Sequence, residues 1–138
     1  MKLKKYDIAA IGECLIVFVL ASNHEQGKLN FSGCPGGAPA NVLACASKLG
    51  LNTAFIGEVG NDIFGKLLKS TLDDCGINTS SLIMSDKHPT TLAFVTLDKD
   101  GFREFSFYRN QTADVVLFCY SILFNFPCRI VNKYLNCK

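Results

Sequence analysis

The sequence lacks the patterns that identify several common kinds of site. It contains neither a G-x-G-x-x-G segment nor a complete G-x-x-x-x-G-K-[ST] segment, the two commonest phosphate-binding loops. Its seven cysteines form no C-x-x-C pair, their number is odd, and only His24 and His88 could join them as zinc ligands. Two isolated histidines in polar stretches also give no Ser-His-Asp or Cys-His arrangement. We therefore predict no metal site, no disulfide framework and no nucleophilic triad.

The net charge and the first apolar run argue against further classes of protein, namely nucleic-acid-binding, membrane-binding and secreted proteins. The net charge of +2 gives no electrostatic case for binding nucleic acid or a membrane surface. Asp7 and Glu13 interrupt the apolar run that follows the first lysines, and no A-x-A-like cleavage site follows it. This pattern argues against a secretory signal and predicts a cytoplasmic protein.

The composition changes after Asp114. Residues 115–138 contain no Asp, Glu or Gly, but they contain three cysteines and five aromatic residues. The apolar stretch 115–128 is shorter than the roughly 20 residues that a membrane-spanning helix needs. We interpret this segment as an exposed apolar tail, or as the product of a shift in the reading frame, rather than as a membrane anchor.

The first half of the chain predicts a parallel α/β unit. Ile8–Gly12 and Thr53–Gly57 are short apolar runs that indicate buried strands, joined through a helix. Before the helix, Leu15–Ala21 and Lys28–Ser32 are predicted to pair as a small hairpin. The helix itself ends at Gly50 and has apolar residues at helical spacing: Val42, Leu43, Ala46 and Leu49.

The second half continues this alternation. Asp62 is predicted to cap a helix that ends at Gly76, and its apolar face would consist of Ile63, Leu67, Leu68, Thr71 and Leu72. A third strand is predicted through Leu82–Met84. The segments 90–97 and 102–108 flank an Asp-Gly turn and predict a hairpin. In its second strand, period-two alternation places Arg103, Phe105, Phe107 and Arg109 on one face.

The segment from Pro35 to Asn41 is the strongest candidate for a ligand site. Gly36 and Gly37 permit backbone conformations that a side chain forbids and allow close approach of a ligand. They lead into a helix whose first turn holds Asn41 and presents unpaired N–H groups. The glycine-dense segment Gly57–Gly65 is interpreted instead as a strand-to-helix turn.

Five segments in order resemble the amino-terminal half of the ribokinase-like (PfkB) sugar kinases, most closely the fructokinases. They are Gly12-Glu13, Gly36–Asn41, Phe55–Gly65, Thr91–Val95 and Phe105–Asn110. The resemblance implies a Rossmann-like α/β fold, here incomplete, with a small β-strand lid formed near residues 13–35 and 90–109. It implies a kinase domain over residues 1–116 and leaves 117–138 as a tail foreign to the family.

The same resemblance implies a function and its site. The expected activity is phosphorylation of a fructose-like sugar hydroxyl with ATP and Mg²⁺, and lid-mediated homodimers are common in the family. Gly36, Gly37 and Asn41 match the sugar-contacting segment, and Phe107 and Arg109 match the stretch beside the sugar. For Arg109, a solvated charge at a strand end is the alternative interpretation.

Two departures from the family pattern change this expectation. Val17 stands where the family carries an aspartate that accepts hydrogen bonds from sugar hydroxyls. The family's catalytic aspartate and nucleotide pocket belong to its carboxyl-terminal half, so we expect no catalytic residue and no nucleotide site in this chain. It is then a truncated fructokinase-like protein without activity. Two alternatives stay open: a non-catalytic sugar-binding or interaction module, and an unrelated α/β binding protein whose glycine pair is only a turn.

Overall fold

The structure is a computed structural model, and it describes residues 6–21, 27–97, 100 and 102–117. The elements in chain order are β1 (Ile8–Ile11), β2 (Leu15–Leu20), β3 (Phe31–Gly36), α1 (Ala38–Lys48), β4 (Thr53–Gly60), α2 (Ile63–Asp74), β5 (Asn78–Ser85), β6 (Leu92–Leu97) and β7 (Arg103–Tyr108). Residues 113–117 are also helical. The turn residues 98, 99 and 101, His24, and the predicted tail from residue 118 lie outside the described residues.

The strands form two sheets. The first, which we call the core sheet, is parallel and has the order β1-β4-β5. The second, which we call the lid sheet, has the order β3-β2-β6-β7, with antiparallel pairs at both sides of a parallel β2–β6 pair. The predicted parallel unit and the hairpin of β6 and β7 are therefore confirmed, and β2 pairs with a following strand as predicted, although with other bounds. In the described part of the chain, no helix is long and apolar enough to cross a membrane.

Both long helices pack on the core sheet. The main hydrophobic cluster joins Leu43 of α1, Leu68 and Leu72 of α2, and Phe55 of β4. Phe55 and Leu43 are fully buried, so this cluster supplies the largest apolar contribution to stability. A smaller cluster on the opposite face of the sheet contains Tyr6, Ala54 and Ile56.

Several sequence expectations were wrong in detail. Val42, Leu49, Ile63 and Leu67 are exposed, because the faces of α1 and α2 that contact the sheet are narrower than the apolar pattern suggested. The predicted Leu43 and Ala46 are buried, and the third buried residue of α1 is Ala40. β1 is half-buried rather than buried, since it lies at the edge of the core sheet.

The second strand of the first hairpin lies further along the chain than expected. Lys28–Ser32 was predicted, but β3 runs over Phe31–Gly36 and contains Pro35 and the first glycine of the pair. Proline is compatible with this position because β3 is an edge strand of the lid sheet. As a result, the lid sheet leads directly into α1 with only Gly37 between them.

Candidate functional site

Gly37 connects the lid sheet to the core at a point where two chain segments touch. It is the N-cap residue of α1 and has φ 121° and ψ 124°, a backbone conformation that favours glycine. A Cβ added at Gly37 would lie 2.5 Å from the carbonyl oxygen of Glu13 and 3.1 Å from Cα of Cys14. The glycine is thus required by close main-chain packing, whether or not a ligand binds beside it.

Asn41 lies in the first turn of α1, as predicted. Its backbone N–H donates to the carbonyl of Gly37 at 3.0 Å, and its residue is exposed. Among the described residues its side-chain amide makes no hydrogen bond, so both amide hydrogens and the oxygen are available to a ligand. Gly36 and Asn41 border the same small recess of about 50 Å³, together with Cys14 and Ala40.

Arg109 is the centre of an ion-pair cluster rather than a solvated charge at a strand end. Its Nη2 lies 2.8 Å from Oε2 of Glu13 and 2.7 Å from Oδ2 of Asp114. Its Nε donates to the same oxygen of Asp114 at 2.9 Å. The other oxygen of Asp114 accepts from Thr112 at 2.9 Å and from Thr91. The alternative interpretation of Arg109 is therefore wrong, whereas its contact with a sugar stays a prediction.

This cluster lies at the carboxyl end of β1. Asp114 is buried, while Arg109 and Glu13 are partly exposed. They line a cavity of about 240 Å³ together with Ile11, Gly12, Pro39 and Leu117. In open α/β sheets, ligands bind in crevices beyond the carboxyl ends of the strands. The cavity therefore has the position expected of a ligand site, and its cluster of one guanidinium and two carboxylates favours neutral, hydroxyl-rich ligands over anions.

The lid sheet aligns Val17 with Phe107. Val17 pairs with Ala93 of β6, which pairs in turn with Phe107 of β7, so the three side chains form one row on one face. Cys34 of β3 extends the row beyond Val17. Val17 also packs beside Gly36, where an added Cβ would lie 2.9 Å from its Cγ2. Position 17, where the resemblance predicts an aspartate, is therefore next to the glycine pair.

The predicted site residues do not share one pocket in this structure. Gly36 and Asn41 border the small recess, and Val17 lines an apolar groove of about 350 Å³ with Phe105. Phe107 and Arg109 border a shallow depression of about 610 Å³. Contacts join Val17 to Gly36, and β6 lies between the strands that carry Val17 and Phe107. Arg109 approaches the glycine pair through Glu13, against which Gly37 packs.

Sequence reasoning missed the partners of Arg109. In the sequence, Glu13 stood out only as a charge in the first apolar run and as part of a family-like pair, and Asp114 only as the start of the change in composition. Nothing indicated that Glu13 and Asp114 would both bind the guanidinium of Arg109, which lies 96 positions after Glu13. The available signal was the short spacing between Arg109 and Asp114. The buried hydroxyl groups of Thr91 and Thr112 gave no signal, because threonine side chains are mostly exposed in proteins.

The carboxylate of Asp62 accepts hydrogen bonds from both its own segment, Gly57–Gly65, and Thr90. Asp62 accepts hydrogen bonds from the N–H groups of Phe64 at 3.0 Å, Gly65 at 2.8 Å and Thr90 at 2.9 Å, and from the Thr90 hydroxyl at 2.8 Å. Burial alone would raise the pKa of Asp62, but these hydrogen bonds together lower it below the ordinary value of 3.8. The predicted cap is confirmed, and it occupies the N–H groups with which α2 could otherwise bind a phosphate.

The spacing of the glycines in this segment resembles that of a phosphate-binding loop, but the resemblance is superficial. Gly60, Gly65 and Lys66 have the spacing of a G-x-x-x-x-G-K motif, but Leu67 replaces its final Ser or Thr. A Cβ at Gly65 would overlap the carbonyl oxygen of Gly60. The glycines therefore allow contact between neighbouring main-chain segments, and they do not form an open cradle.

Comparison with known proteins agrees with this geometry. Residues 5–119 match the pfkB family carbohydrate kinases. Over 112 residues the chain is 46% identical to probable fructokinase-5 from Arabidopsis thaliana and 44% identical to fructokinase-1 from Zea mays; in each case 80% of this chain and 35% of the relative are covered. The chain thus spans about a third of the length of these relatives.

Solved structures give the same result. The fructokinase from Xylella fastidiosa with bound ATP matches at a TM-score of 0.75 and 38% identity, covering 83% of this chain and 36% of that one. The fructokinase from Vibrio cholerae with fructose, ADP and calcium bound matches at a TM-score of 0.65 and 34% identity, covering 77% and 33%. The two sheets are therefore the corresponding part of the ribokinase fold. The chain belongs to the pfkB family of carbohydrate kinases.

Proposed function

We propose that this chain forms the sugar-binding part of a fructokinase-type kinase, an enzyme that transfers the terminal phosphoryl group of ATP to a sugar hydroxyl. The observation that supports the proposal is the placement of Val17 beside Gly36, at the junction where the lid sheet enters the helix of Asn41. The chain is also similar to a fructokinase from Vibrio cholerae that was solved with fructose bound. Gly36, Gly37, Asn41, Phe107 and Arg109 are the proposed sugar contacts.

The described residues do not fit a nucleotide or its Mg²⁺ ion. The first turn of α2 is capped by Asp62, and Gly37 at the start of α1 packs against the main chain of Glu13. Among the described residues no group of three or more His, Cys, Asp or Glu side chains could hold a metal ion. When bound, ATP supplies the phosphoryl group. This chain would contribute sugar orientation and exclusion of water, which competes as a phosphoryl acceptor.

We therefore propose that the chain has no kinase activity as it stands. Phosphoryl transfer depends on positioning and on stabilisation of charge at the transferred group. The described part of the chain contains no base beside the proposed sugar contacts, because Glu13 and Asp114 are both paired with Arg109. In this proposal residues 1–116 are the kinase part, 117–138 are foreign to it, and the protein is cytoplasmic.

The sugar-binding proposal is tested by restoring the carboxylate at position 17. Val17→Asp adds a charged acceptor of the kind that contributes about 1.5–3 kcal/mol to a hydrogen bond, so fructose binding should tighten by about ten- to a hundred-fold. Calorimetry with fructose measures this change. Val19→Asp is the matched control, since Val19 lies two residues further on the same face and is 42% exposed. Equal affinity in the two variants would contradict the proposed site.

Absence of activity needs a separate assay. A coupled measurement of ATP-dependent fructose phosphorylation should give no turnover with the native chain or with Val17→Asp. Turnover by either protein above that of a heat-denatured sample would refute the proposal that catalytic groups are lacking. Binding and catalysis are thus tested independently.

A non-catalytic interaction module is the second candidate, and an exposed surface favours it. One face of the lid sheet presents Val19, Leu97, Phe105 and Phe107, each at least 42% exposed. Exposed apolar patches of this kind mark interaction sites, and we propose that the lids of two chains pair there. Sedimentation equilibrium should show a dimer that Phe105→Lys dissociates. The control Leu29→Lys, which replaces an exposed leucine outside the lid strands, should leave it intact.

A further inference from the structure

Asp114 and Glu13 together occupy one nitrogen of the Arg109 guanidinium. Nη2 of Arg109 lies 2.7 Å from Oδ2 of Asp114 and 2.8 Å from Oε2 of Glu13. Both of its hydrogens are therefore directed to carboxylates of the chain. Nε donates to the same oxygen of Asp114 at 2.9 Å. The two N–H groups of Nη1 are then the donors of Arg109 that have no acceptor among the described residues.

This pairing determines how Arg109 can contact a ligand. A guanidinium binds a carboxylate best through two parallel N–H donors on one edge, either Nε with Nη2 or Nη1 with Nη2. Both edges include Nη2, whose hydrogens are already directed to Asp114 and Glu13. Arg109 can therefore offer the separate N–H donors of Nη1, which suit hydroxyl oxygens, but it cannot form a two-point contact with a ligand carboxylate.

Of the two partners of Arg109, Asp114 is held more firmly. Asp114 is buried, and its Oδ1 accepts hydrogen bonds from Thr112 at 2.9 Å and from Thr91. The Glu13 side chain is 30% exposed. Water and salt screen a buried charge less than an exposed one. Asp114 therefore balances more of the charge of Arg109 than Glu13 does.

The net charge beside the cavity follows from the same contacts. Among the described residues that line the cavity of about 240 Å³ and the depression of about 610 Å³, Arg109 is the one cation, and Glu13 and Asp114 are the carboxylates. One positive and two negative charges give this cluster a net charge of −1. A ligand carboxylate would be repelled by that charge, whereas a neutral sugar would not.

We propose that Asp114 is a specificity-determining residue that acts through Arg109, so that the sugar site accepts neutral sugars and rejects sugar acids. Glu13 acts in the same direction from the other edge of the guanidinium. The inference rests on the proposed function, because it takes Arg109 to contact the sugar. Removing the charge of Asp114 should therefore shift the preference of the site toward a sugar acid.

The probes are fructose and two acids that each differ from it at one end. 2-Keto-D-gluconate is fructose with the C1 hydroxymethyl group oxidised to a carboxylate, and D-fructuronate has its carboxylate at C6 instead. Together they test both orientations of the sugar. Calorimetry measures the Kd of each. For the native chain we expect fructose to bind at least about tenfold more tightly than either acid.

Asp114→Asn removes the charge and keeps an amide oxygen as an acceptor. It should improve the affinity for at least one acid, relative to fructose, by about ten- to a hundredfold. Glu13→Gln should give a smaller shift in the same direction, and it decides the question if Asp114→Asn does not fold. Asp73→Asn is the matched control, because it removes an exposed carboxylate paired with Lys69, and it should leave the ratio unchanged.

Salt dependence distinguishes a change of charge from a loss of packing. The acid binding gained by Asp114→Asn should weaken as the salt concentration rises from about 0.05 M to about 0.5 M, because salt screens the attraction to Arg109. Fructose binding should not weaken. A purely structural role of Asp114 would instead weaken the binding of fructose and of both acids equally, and that result would overturn the inference.

Each variant is also made together with Val17→Asp, and each ratio of affinities is taken within one background. Where fructose binds, an unchanged ratio in every variant that folds overturns the inference and leaves the proposed function standing. If fructose binds in neither background, the proposed function fails, and the inference fails with it. The two failures are thus distinguished by fructose binding itself.

Discussion

Replacing Gly37 by alanine should destabilise the protein in a way that replacing Gly50 does not. Both glycines have positive φ, 121° at Gly37 and 87° at Gly50, so alanine is strained at either position. Nothing lies within 4 Å of a Cβ at Gly50, whereas at Gly37 the Glu13 carbonyl oxygen is only 2.5 Å away. Gly50→Ala thus measures the conformational cost, and Gly37→Ala measures that cost together with a main-chain clash.

The magnitudes differ enough to be separated. The unfavourable backbone conformation costs about 1–2 kcal/mol for each substitution. Overpacking adds about 1–3 kcal/mol at Gly37, because the contact is with backbone that cannot rotate away. We therefore expect a loss in the free energy of unfolding of about 1–2 kcal/mol for Gly50→Ala and about 2–5 kcal/mol for Gly37→Ala. Urea denaturation followed by circular dichroism measures both.

A local readout distinguishes this clash from general weakening. Cys14 is 3% exposed, and burial raises the pKa of its thiol to about 12, so it should resist alkylation in the folded protein while exposed Cys34 and Cys45 react. Since Gly37 packs against Cα of Cys14, Gly37→Ala should expose Cys14 to alkylation below the unfolding transition. Equal destabilisation by the two alanines, with Cys14 protected in both, would refute the proposed packing.

Three further predictions concern polar groups. Asp62→Ala should lower the free energy of unfolding by about 2–4 kcal/mol, because it removes a helix cap and leaves buried donors unpaired. Since folding lowers the pKa of Asp62 below 3.8, the stabilisation by Asp62 should be complete above about pH 4 and be lost as the pH falls through the lowered pKa. A variant whose stability in acid is unchanged would contradict this. Glu13→Gln should lower the free energy of unfolding by less than about 1 kcal/mol, because its ion pair with Arg109 is partly exposed. Asp114→Asn should lower it by about 3 kcal/mol, because that carboxylate is buried. Equal losses in urea denaturation would show that burial does not separate the two pairs. Thr53→Val should be neutral or stabilising by up to about 1 kcal/mol in thermal unfolding, because the buried Thr53 hydroxyl has no hydrogen-bond partner among the described residues. Marked destabilisation would indicate such a partner.

The order of secondary structure could be predicted because each element has a local cause. Asp62 caps α2 by hydrogen bonds within three residues of itself, and Gly50 and Gly76 follow the helices that they end. Strand limits were less predictable. β3 extends to Gly36 because it pairs with β2 as far as Leu15, and no local signal marks that register.

The candidate site was predictable in part for the same reason. The positions of Gly36 and Asn41 follow from short spacings along the chain, so their proximity was expected. The cluster of Arg109 was not, because its members come from the end of β1, the end of β7 and the start of the final described helix. Only the three-dimensional arrangement shows that the charge of Arg109 is already balanced, which changes its chemical role.

The junction at residues 12–14 separates two parts of the proposed function, namely the effect of valine at position 17 and the proposed lack of catalytic groups. Gly37, which follows β3, packs on Glu13 and Cys14, and Arg109, which follows β7, binds Glu13, so two contacts fix the lid sheet to the core without involving Val17. If position 17 contacts the sugar, as we propose, valine there removes one ligand group and leaves the geometry around it intact, so a single substitution should restore sugar affinity. Under the same proposal a substitution at position 17 does not supply phosphoryl transfer, since Asp62 caps α2, Gly37 packs on main chain, and both carboxylates near the cavity are paired with Arg109.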